Sequence, residues 1–220
     1  KTALALHMQL GINNIDELES AARNGRIRDL KGFGARTEEM VLEGIRMYRS
    51  AQGKFLLGYA LPIAEEIEGE LKKLTAVAKI SLAGSIRRRK ETIGDIDVLA
   101  ASKEPSRVID RFTRHPGVER VLSKGTTKSS IVLAEGLQVD LRVVDEESFG
   151  SALQYFTGSK EHNIRLRELA MDKNWKLSEY GLHDKRTDEK IAGEREGDIY
   201  EALGLNYIEP ELRENRGEIE

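Results

Sequence analysis

The stretch Leu82–Leu99, with the sequence LAGSIRRRKETIGDIDVL, decides how this chain can fold. A Gly-Ser turn comes first, a run of basic residues follows, and two carboxylates then lie in an apolar, β-branched segment. Such a segment favours a β-strand. Because successive side chains of a strand point to opposite faces, Asp95 and Asp97 are predicted to share one face, about 7 Å apart along the strand. Two carboxylates in this arrangement can share a hard cation.

A second apolar segment, Leu137–Val144, carries one further acid, Asp140. If its strand lies beside the first, Asp140 completes a triad with Asp95 and Asp97. Three carboxylates repel one another too strongly to cluster without a metal. The sequence therefore predicts a site for two Mg²⁺ ions, which Mn²⁺ could replace.

The alternative for the Asp-x-Asp pattern is a pair of acids on the solvent-exposed face of an ordinary strand. The residues before it favour a catalytic role. Gly84 and Ser85 offer backbone N–H groups and a hydroxyl, Arg88 offers a guanidinium, and all of these suit phosphate oxygens. Phosphate-binding groups beside a carboxylate triad are typical of a nucleotidyl-transfer site.

The composition excludes several other kinds of site. The 220 residues include no cysteine, so there is no disulfide framework, thiolate zinc site or thiol nucleophile, and the four histidines are scattered. No apolar run approaches a membrane span and no signal-peptide pattern is present, so we expect a cytoplasmic protein without a membrane partner. The sequence starts at Lys1 without methionine, and we expect it to be part of a longer chain.

The net charge of −3 at pH 7 argues only weakly against nucleic-acid binding, because local patches matter more than the average. Basic residues cluster in three places, and acids gather near the carboxyl end. We therefore predict a basic cleft with acidic outer surfaces. The basic clusters are Arg23, Arg26, Arg28 and Lys31; Arg87–Lys90; and Lys124 with Lys128, and the terminal acids are Glu209, Glu211, Glu214, Glu218 and Glu220.

The first part of the chain has a helical pattern interrupted by glycines. Helices are predicted over Lys1–Leu10, Ile15–Ala22 and Glu38–Tyr48, and Gly32 and Gly34 lie in the turn before the last of them. Glycines at this place let backbone N–H groups and a helix N-terminus approach a DNA phosphate. The pattern is typical of a helix-hairpin-helix, and the flanking basic residues favour DNA binding over an ordinary αα-hairpin.

The rest of the chain predicts a mixed α+β palm, a small sheet with helices against one face, followed by a smaller segment of helices and strands. Lys54–Leu74 is predicted to be the next helical stretch, and Pro62 can open a helix at Ile63 within it. The predicted strands are Ala78–Ala83, Asp95–Ala101, Val118–Leu122, Ser129–Ala134 and Leu137–Val144; the predicted helices are Ser106–Thr113, Phe149–Phe156, Lys160–Lys173 and Gly197–Leu203; and Trp175–Leu182 is expected to pair with Lys190–Ala192 as one hairpin.

Several motifs, in this order and spacing, resemble the X family of DNA polymerases, the group of DNA polymerase beta, and especially its bacterial and archaeal branch. The resemblance implies an α+β fold with a helix-hairpin-helix DNA-binding subdomain over 1–61, a nucleotidyltransferase-type palm over 62–144 and a nascent-base-pair subdomain over 145–220. It also implies a template-dependent polymerase core that extends primed or gapped DNA with dNTPs in repair. The motifs are Gly84-Ser85-Ile86-Arg87-Arg88, Gly94-Asp95-Ile96-Asp97, Val139-Asp140-Leu141-Arg142 and Tyr155-Phe156-Thr157-Gly158-Ser159.

The resemblance also implies roles for individual residues. Asp95 and Asp97 match the aspartates that bind both metal ions, and Asp140 matches the third, which holds the catalytic ion. Tyr155–Ser159 matches the segment that lies against the sugar and contains a cis Gly-Ser peptide, and Asn163 matches the residue that contacts the incoming base. The residues implied to bind the nucleotide are Gly84, Ser85, Arg88, Gly94, Tyr155, Phe156, Gly158, Ser159 and Asn163, and those implied to bind DNA are Gly32, Gly34, Lys124, Lys128, Arg142 and Arg167.

The sequence departs from the family pattern in places. Gln138 stands where DNA polymerase beta has arginine, which implies weaker charge support for the primer end, and Lys160 stands where the animal enzyme has an acid. The amino-terminal lyase domain and the carboxy-terminal phosphoesterase domain of relatives have no counterpart, so we expect neither activity. Two other functions stay open, a template-independent nucleotidyltransferase and a DNA-binding module with a silent site. We expect a monomer.

Overall fold

In the computed structural model, the backbone is described for residues 2–52 and 54–219, and the side chains for residues 5–45, 54–134 and 136–219. The chain forms two compact units, residues 1–53 and residues 54–220. Among the described residues, the structure contains no helix with the length and apolar character that a membrane span requires.

The first unit is helical. It contains α1 (Thr2–Leu10), α2 (Ile15–Arg23) and α3 (Ala35–Gln52), which confirms the three predicted helices, although Lys1 lies outside the described residues and α3 is longer than predicted at both ends. Asn14 caps α2, because its Oδ1 accepts the backbone N–H of Glu17 over 2.8 Å. The core of this unit is formed by Leu6, Ala21, Ala22 and Ile27.

The turn between α2 and α3 is held by an ion pair. Gly32 adopts φ +89°, a conformation that favours glycine. Glu38 is buried near the start of α3, and its carboxylate accepts the backbone N–H of Arg28 over 3.1 Å and the Nε–H of the same residue over 2.8 Å. These contacts lower the pKa of Glu38 and fix the loop against the helix that follows it.

The second unit contains the remaining elements. Most of them agree with the predicted bounds to within one or two residues. They are β1 (Phe55–Leu56), α4 (Leu57–Lys72), β2 (Lys79–Ala83), α5 (Gly84–Arg87), β3 (Thr92–Ile93), β4 (Asp95–Ala101), α6 (Pro105–Thr113), β5 (Val118–Lys124), β6 (Lys128–Leu133), β7 (Gln138–Val144), α7 (Phe149–Thr157), α8 (Lys160–Asp172), β8 (Trp175–Ser178), β9 (Gly181–Asp184), β10 (Lys190–Ala192) and α9 (Glu196–Leu203).

A five-stranded mixed sheet forms the centre of the second unit. Its strand order is β2-β4-β7-β6-β5, and β4 and β7 are parallel while the other neighbours are antiparallel. The sheet packs with α4 and α6 around one apolar core, which confirms the predicted α+β palm. This core includes Ile67, Leu71, Ile96, Val108, Phe112, Ile131, Val139 and Leu141.

A smaller core lies in the carboxy-terminal part. The strands β8, β9 and β10 form a separate antiparallel sheet in the order β10-β9-β8. The predicted hairpin around the Asp184–Asp188 turn is confirmed, because β9 pairs with β10. The prediction that Trp175–Leu182 is a single arm of it is wrong, because the chain turns at Glu179–Tyr180 and forms two strands. Leu177 and Leu182 point into a core shared with α8 and α9, so both strands bury their apolar residues.

The predicted helical stretch Lys54–Leu74 is confirmed as α4, but the predicted start at Pro62 is wrong. The helix α4 begins at Leu57, and Pro62 lies inside it. Proline there removes only the hydrogen bond to the carbonyl of Gly58, an exposed residue, which limits the cost of the interruption. The compact second unit begins at Lys54. The predicted subdomain boundaries, between residues 61 and 62 and between residues 144 and 145, stay predictions.

Candidate active site

The three predicted acids lie together at the end of two neighbouring strands. Because β4 and β7 are parallel and in register, Asp97 lies directly opposite Asp140, and Asp95 precedes Asp97 by two residues on the same face. One carboxylate oxygen of each residue lies within 4.8 Å of those of the other two. The predicted triad is therefore confirmed as a cluster in space.

The triad is electrostatically unfavourable without a cation. Burial first, and then the charges of Asp95 and Asp140, raise the pKa of Asp97 to about 7, although Arg88 and Lys128 act in the opposite direction. Burial and the charge of Asp140 also raise the pKa of Asp95. Carboxylates whose pKa values are raised in this way would be stabilised by a nearby positive charge. Three oxygen donors of this kind fit a hard divalent cation such as Mg²⁺.

Gln138 positions one member of the triad. Its Nε2 donates to Oδ1 of Asp140 over 2.9 Å, and it lies opposite Asp95 in the sheet register. The glutamine side chain is uncharged, so it orients the Asp140 carboxylate without supplying the positive charge that an arginine would bring.

The turn after β2 is shaped around Asp97. Gly84 has φ +60°, and a Cβ atom placed there would lie 2.0 Å from Oδ2 of Asp97. A side chain at this position would therefore displace the carboxylate. The close approach explains why glycine precedes Ser85 in the motif and places their turn against the triad.

Arg88 connects this turn to the segment Tyr155–Ser159. Its Nη1 donates to the carbonyl of Thr157, and the Gly158–Ser159 peptide is cis, as the resemblance implied. The Oγ of Ser159 accepts the backbone N–H of His162 over 3.2 Å and caps α8. The two motifs, distant in sequence, are therefore adjacent in the fold. Gly94 is exposed immediately before β4.

A carboxylate of the acidic tail reaches this cleft. Glu214 Oε1 lies 3.0 Å from Arg88 Nε and 3.3 Å from Lys90 Nζ. Although burial acts in the opposite direction, the hydrogen bond and charge of Arg88, followed by those of Lys90, lower the pKa of Glu214. The prediction that the terminal acids lie only on outer surfaces is therefore wrong for Glu214, because two cations of the cleft attract it.

A small cavity of about 110 Å³ opens beside Asp97 and Asp140. Its wall includes Lys128 and the aromatic ring of Phe156. The guanidinium carbon of Arg142 lies 4.5 Å from the centroid of that ring, a cation–π distance. The structure thus brings two of the residues implied to bind DNA, Lys128 and Arg142, to the edge of the triad.

Lys124, which is implied to contact DNA, and Arg23 of the first basic cluster are paired within the protein. Lys124 Nζ lies 2.5 Å from Asp110 Oδ1, and Arg23 Nη2 lies 2.6 Å from Glu19 Oε1. Together with the pairing of Arg28, these contacts reduce the free positive charge of the predicted clusters. In the first unit, exposed basic residues remain around the glycine turn, at Arg26, Lys31 and Arg36.

The residues implied to meet the incoming base and the template lie on α8. Asn163 is buried, its Nδ2 donates to the carbonyl of Tyr155 over 2.7 Å, and its Oδ1 accepts from Gln154 Nε2 over 2.6 Å. Arg167 follows one turn later and is half-buried. Sequence patterns gave no sign of Gln154, because a glutamine within an apolar helix is not by itself a motif.

A second charged cluster was not found from the sequence. Glu196 lies between two arginines, with Oε2 at 2.7 Å from Arg87 Nη2 and Oε1 at 2.5 Å from Arg213 Nη1. The hydroxyl of Tyr207 donates to Glu196 over 2.8 Å. Arg87 and Glu196 are far apart in sequence, and no local pattern connects them. The cluster joins α5 of the palm to α9 of the carboxy-terminal part.

Comparisons with known proteins agree with a nucleotidyltransferase of the polymerase type. The family described as DNA polymerase beta palm matches residues 60–166, and the family described as DNA polymerase beta thumb matches residues 152–214. The solved structure of Leishmania infantum polymerase beta in a ternary complex covers 96% of this chain and 92% of its own, with a TM-score of 0.64 and 22% sequence identity. This likeness shows the fold.

Curated relatives extend the match. The DNA polymerase/3′-5′ exonuclease PolX of Bacillus subtilis is 36% identical over all of this chain and 39% of its own length. A repair DNA polymerase X of African swine fever virus is 28% identical over 74% of this chain and 97% of its own, and rat DNA polymerase lambda is 26% identical over 86% and 38%. The chain therefore belongs to the X family of DNA polymerases. It spans about two fifths of the length of the Bacillus and rat proteins.

Proposed function

We propose that this chain is a template-dependent DNA polymerase core that adds dNTPs to a primer 3′-hydroxyl during repair of gapped DNA. The observation that carries the proposal is the triad of Asp95, Asp97 and Asp140, whose oxygens lie within 4.8 Å of one another beside the Gly84–Ser85 turn and Arg88. The names of the relatives, a DNA polymerase/3′-5′ exonuclease, a repair DNA polymerase and DNA polymerase lambda, support the same class of reaction.

Two Mg²⁺ ions fit the donor set of the triad, and Mn²⁺ ions fit it as well. Asp95 and Asp97 would contact both, and Asp140 would complete the site nearer the primer. When bound, such ions supply positive charge that favours ionisation of the 3′-hydroxyl and offsets the charge of the phosphate oxygens. Asp140, oriented by Gln138, is the proposed acceptor for the hydroxyl proton, directly or through water.

The triphosphate of the nucleotide would lie along the turn that contains Gly84 and Ser85, and it would also contact Gly94. The guanidinium of Arg88 would neutralise the phosphates that leave, once it has released Glu214. The sugar would lie against Tyr155–Ser159, and the base against Asn163. The proposed nucleotide-binding residues are Gly84, Ser85, Arg88, Gly94, Tyr155, Phe156, Gly158, Ser159 and Asn163.

DNA would be held by residues of both units. The turn at Gly32 and Gly34 presents backbone N–H groups next to exposed basic side chains, which suits phosphate contacts that carry no sequence information. In the second unit Lys128, Arg142 and Arg167 would contact the duplex, and Lys124 would do so by exchanging Asp110 for a phosphate. Cytoplasmic location, a monomeric state and further domains in a longer chain stay predictions.

Primer extension on a duplex with a one-nucleotide gap tests the proposal. Each dNTP is supplied singly with Mg²⁺ or Mn²⁺, and Asp140→Ala is the matched inactive variant. We expect addition of the nucleotide complementary to the template and its loss in the variant, while binding of the gapped DNA is kept. Addition that ignores the template would favour the template-independent nucleotidyltransferase. DNA binding without any addition would favour the DNA-binding module with a silent site.

A further inference from the structure

Ser130 continues the row of acids at the candidate active site onto a third strand. In the sheet register, Asp97 of β4 lies opposite Asp140 of β7, and Asp140 lies opposite Ser130 of β6. Side chains that face each other across neighbouring strands lie on one side of the sheet, with their Cβ atoms about 5 Å apart. Ser130 therefore lies on the face of the triad, on the side of Asp140 that is away from Asp97.

The next row of the same face is cationic. Two residues along the strands, Lys128 of β6 lies opposite Arg142 of β7, and this row is about 7 Å from the row of Ser130 and Asp140. The charge of Lys128 reaches the triad, since it opposes the burial and the acids that raise the pKa of Asp97. Ser130 thus lies between a carboxylate that can accept a proton and cations that suit the phosphates of a DNA strand.

The hydroxyl of Ser130 has no hydrogen-bond partner in the part of the chain that the structure describes. Ser130 is only 7% exposed, and a polar group this deeply buried normally has a partner. Two other buried serines follow that rule. Ser129 Oγ donates to the carbonyl oxygen of Ser123 over 2.7 Å, and Ser102 Oγ accepts the backbone N–H of Glu104 over 2.9 Å.

A second buried serine without a partner shows what is particular to Ser130. Ser151 lies in α7, and its Oγ is fully enclosed and has no partner among the described atoms. The Oγ of Ser130 is not fully enclosed, and its strand register places it on the face where Asp97 and Asp140 meet. A ligand bound at the triad can therefore reach this hydroxyl, whereas none can reach that of Ser151.

We propose that the hydroxyl of Ser130 donates a hydrogen bond to the 3′-oxygen of the primer and holds this nucleophile beside Asp140. The inference rests on the proposed function, in which Asp140 lies nearer the primer than Asp97. Asp140 accepts the proton of the 3′-hydroxyl, and Ser130 keeps its own proton and donates it to the same oxygen. Because negative charge develops on that oxygen during the attack, the hydrogen bond strengthens in the transition state.

A purely structural role of Ser130 predicts a different outcome. Replacing Ser130 by alanine removes a buried hydroxyl that has no partner, so no hydrogen bond of the folded protein is lost. The stability of the variant should therefore be unchanged or higher. If the hydroxyl only fills space, incorporation should be unchanged as well. If it holds the primer, incorporation should fall although the protein is as stable as before.

The first experiment measures single-turnover incorporation on a duplex with a one-nucleotide gap, with the unmodified 220-residue chain and with Ser130→Ala. We expect the maximal rate to fall about tenfold in the variant, while the dNTP concentration for half-maximal rate stays the same, because the contacts of the nucleotide are kept. An unchanged maximal rate would overturn the inference. Failure of the unmodified chain to add any dNTP would instead overturn the proposed function, so the two failures are distinguishable.

A pair of variants with equal shape separates the hydroxyl from the space that it occupies. Ser130→Thr keeps the hydroxyl and Ser130→Val replaces it by a methyl group, and both residues are favourable in a strand. We expect the threonine variant to react at least about fivefold faster than the valine variant. Equal rates for the two would overturn the inference, also if the alanine variant fails to fold.

The third experiment measures binding instead of catalysis. The affinity for gapped DNA is compared between a primer that ends in a 3′-hydroxyl and one that ends in a dideoxynucleotide, without dNTP. We expect the unmodified chain to prefer the hydroxyl primer, and Ser130→Ala to reduce this preference about fivefold while it binds the dideoxy primer as before. The same preference in both proteins would overturn the inference.

Ser129→Ala provides the matched control. Ser129 precedes Ser130 in β6, points to the opposite face of the sheet and has a partner, the carbonyl oxygen of Ser123. We expect this variant to unfold at a lower urea concentration, because a buried hydrogen bond is lost, and to keep both the maximal rate within about twofold and the preference for the hydroxyl primer. A loss of rate as large as that of Ser130→Ala would overturn the inference.

Discussion

Two carboxyl groups of the second unit, those of the half-buried Asp97 and the buried Glu196, have opposite electrostatic surroundings. Asp97 lies among acids, and burial together with the other two members of the triad raises its pKa to about 7. Glu196 lies between Arg87 and Arg213, and although burial acts in the opposite direction, these two partners lower its pKa to about 2. The difference separates two uses of buried charge. The carboxylates of the triad repel one another unless a cation binds between them, whereas Arg87 and Arg213 already neutralise the charge of Glu196.

The largest expected effect comes from removing charge at the triad. Asp97→Asn should reduce nucleotide incorporation by about 10³-fold or more, because a carboxylate that holds the metal ions is lost. The same change should stabilise the metal-free protein at pH 8. The folded pKa of about 7 lies above the ordinary value of 3.8, so at pH 8 the folded state carries a charge that it disfavours.

Urea unfolding in EDTA at pH 8 measures this second effect. We expect Asp97→Asn to raise the free energy of unfolding by about 2 kcal/mol. A variant that is inactive and less stable than the original would contradict the conclusion that the carboxylates of the triad repel one another in the folded protein. Asp110→Asn is a suitable comparison, since Asp110 is an acid of the same unit paired with Lys124 outside the triad.

The next effect concerns the neutralised cluster. Glu196→Gln leaves Arg87 and the fully buried Arg213 without their countercharge. We expect the free energy of unfolding at pH 7 to fall by about 3 kcal/mol, the cost of breaking a buried ion pair. Urea denaturation measures this free energy. A decrease of less than about 0.5 kcal/mol would mean that water solvates the two arginines well enough to replace Glu196.

The pH dependence sharpens the contrast. Because the folded pKa of Glu196, about 2, lies below its ordinary value of 4.5, its contribution to stability is complete above pH 4.5 and is lost as the pH falls through 2. The stability difference between the original protein and Glu196→Gln should therefore shrink between pH 5 and pH 2. Denaturation series at several pH values test this, and a difference that stays constant would contradict the assignment.

The smallest expected effect lies between the two regions. Glu214 is paired with cations as Glu196 is, but its partners Arg88 and Lys90 belong to the proposed triphosphate site. Glu214→Gln should lower KM for dNTPs about twofold, because a partly exposed ion pair contributes little. Glu211→Gln, an exposed acid of the same tail, is the control and should leave KM unchanged. An increase of KM in Glu214→Gln would show that Glu214 supports nucleotide binding.

The triad could be predicted because its geometry is local. The alternation of side chains along a strand places Asp95 and Asp97 on one face whatever the rest of the fold, and one parallel pairing adds Asp140. The apolar periodicity of the sequence likewise predicted most helices and strands of both units. The cis Gly158–Ser159 peptide was expected from the family motif, and no property of its own residues would have predicted it.

The features that could not be predicted depend on contacts between distant segments. Arg87 belongs to a run of basic residues that was assigned to the predicted cleft, yet it pairs with Glu196 of α9. Glu214 was predicted to lie on an outer surface because its partners could not be recognised from the sequence. They precede it by more than a hundred residues. Charge patterns along the sequence indicate how much charge there is, but pairing is decided by the fold.

The contact at Gly84 has a consequence for how tolerant the site is to mutation. Any side chain at this position would overlap Oδ2 of Asp97, so a library of all twenty amino acids at residue 84 should retain activity only for glycine. At Gly69, by contrast, an added Cβ meets no described atom within 4 Å, and alanine should be accepted in α4. A screen that replaces only charged residues would overlook position 84, although a substitution there would displace the Asp97 carboxylate while all three acids remain in the sequence.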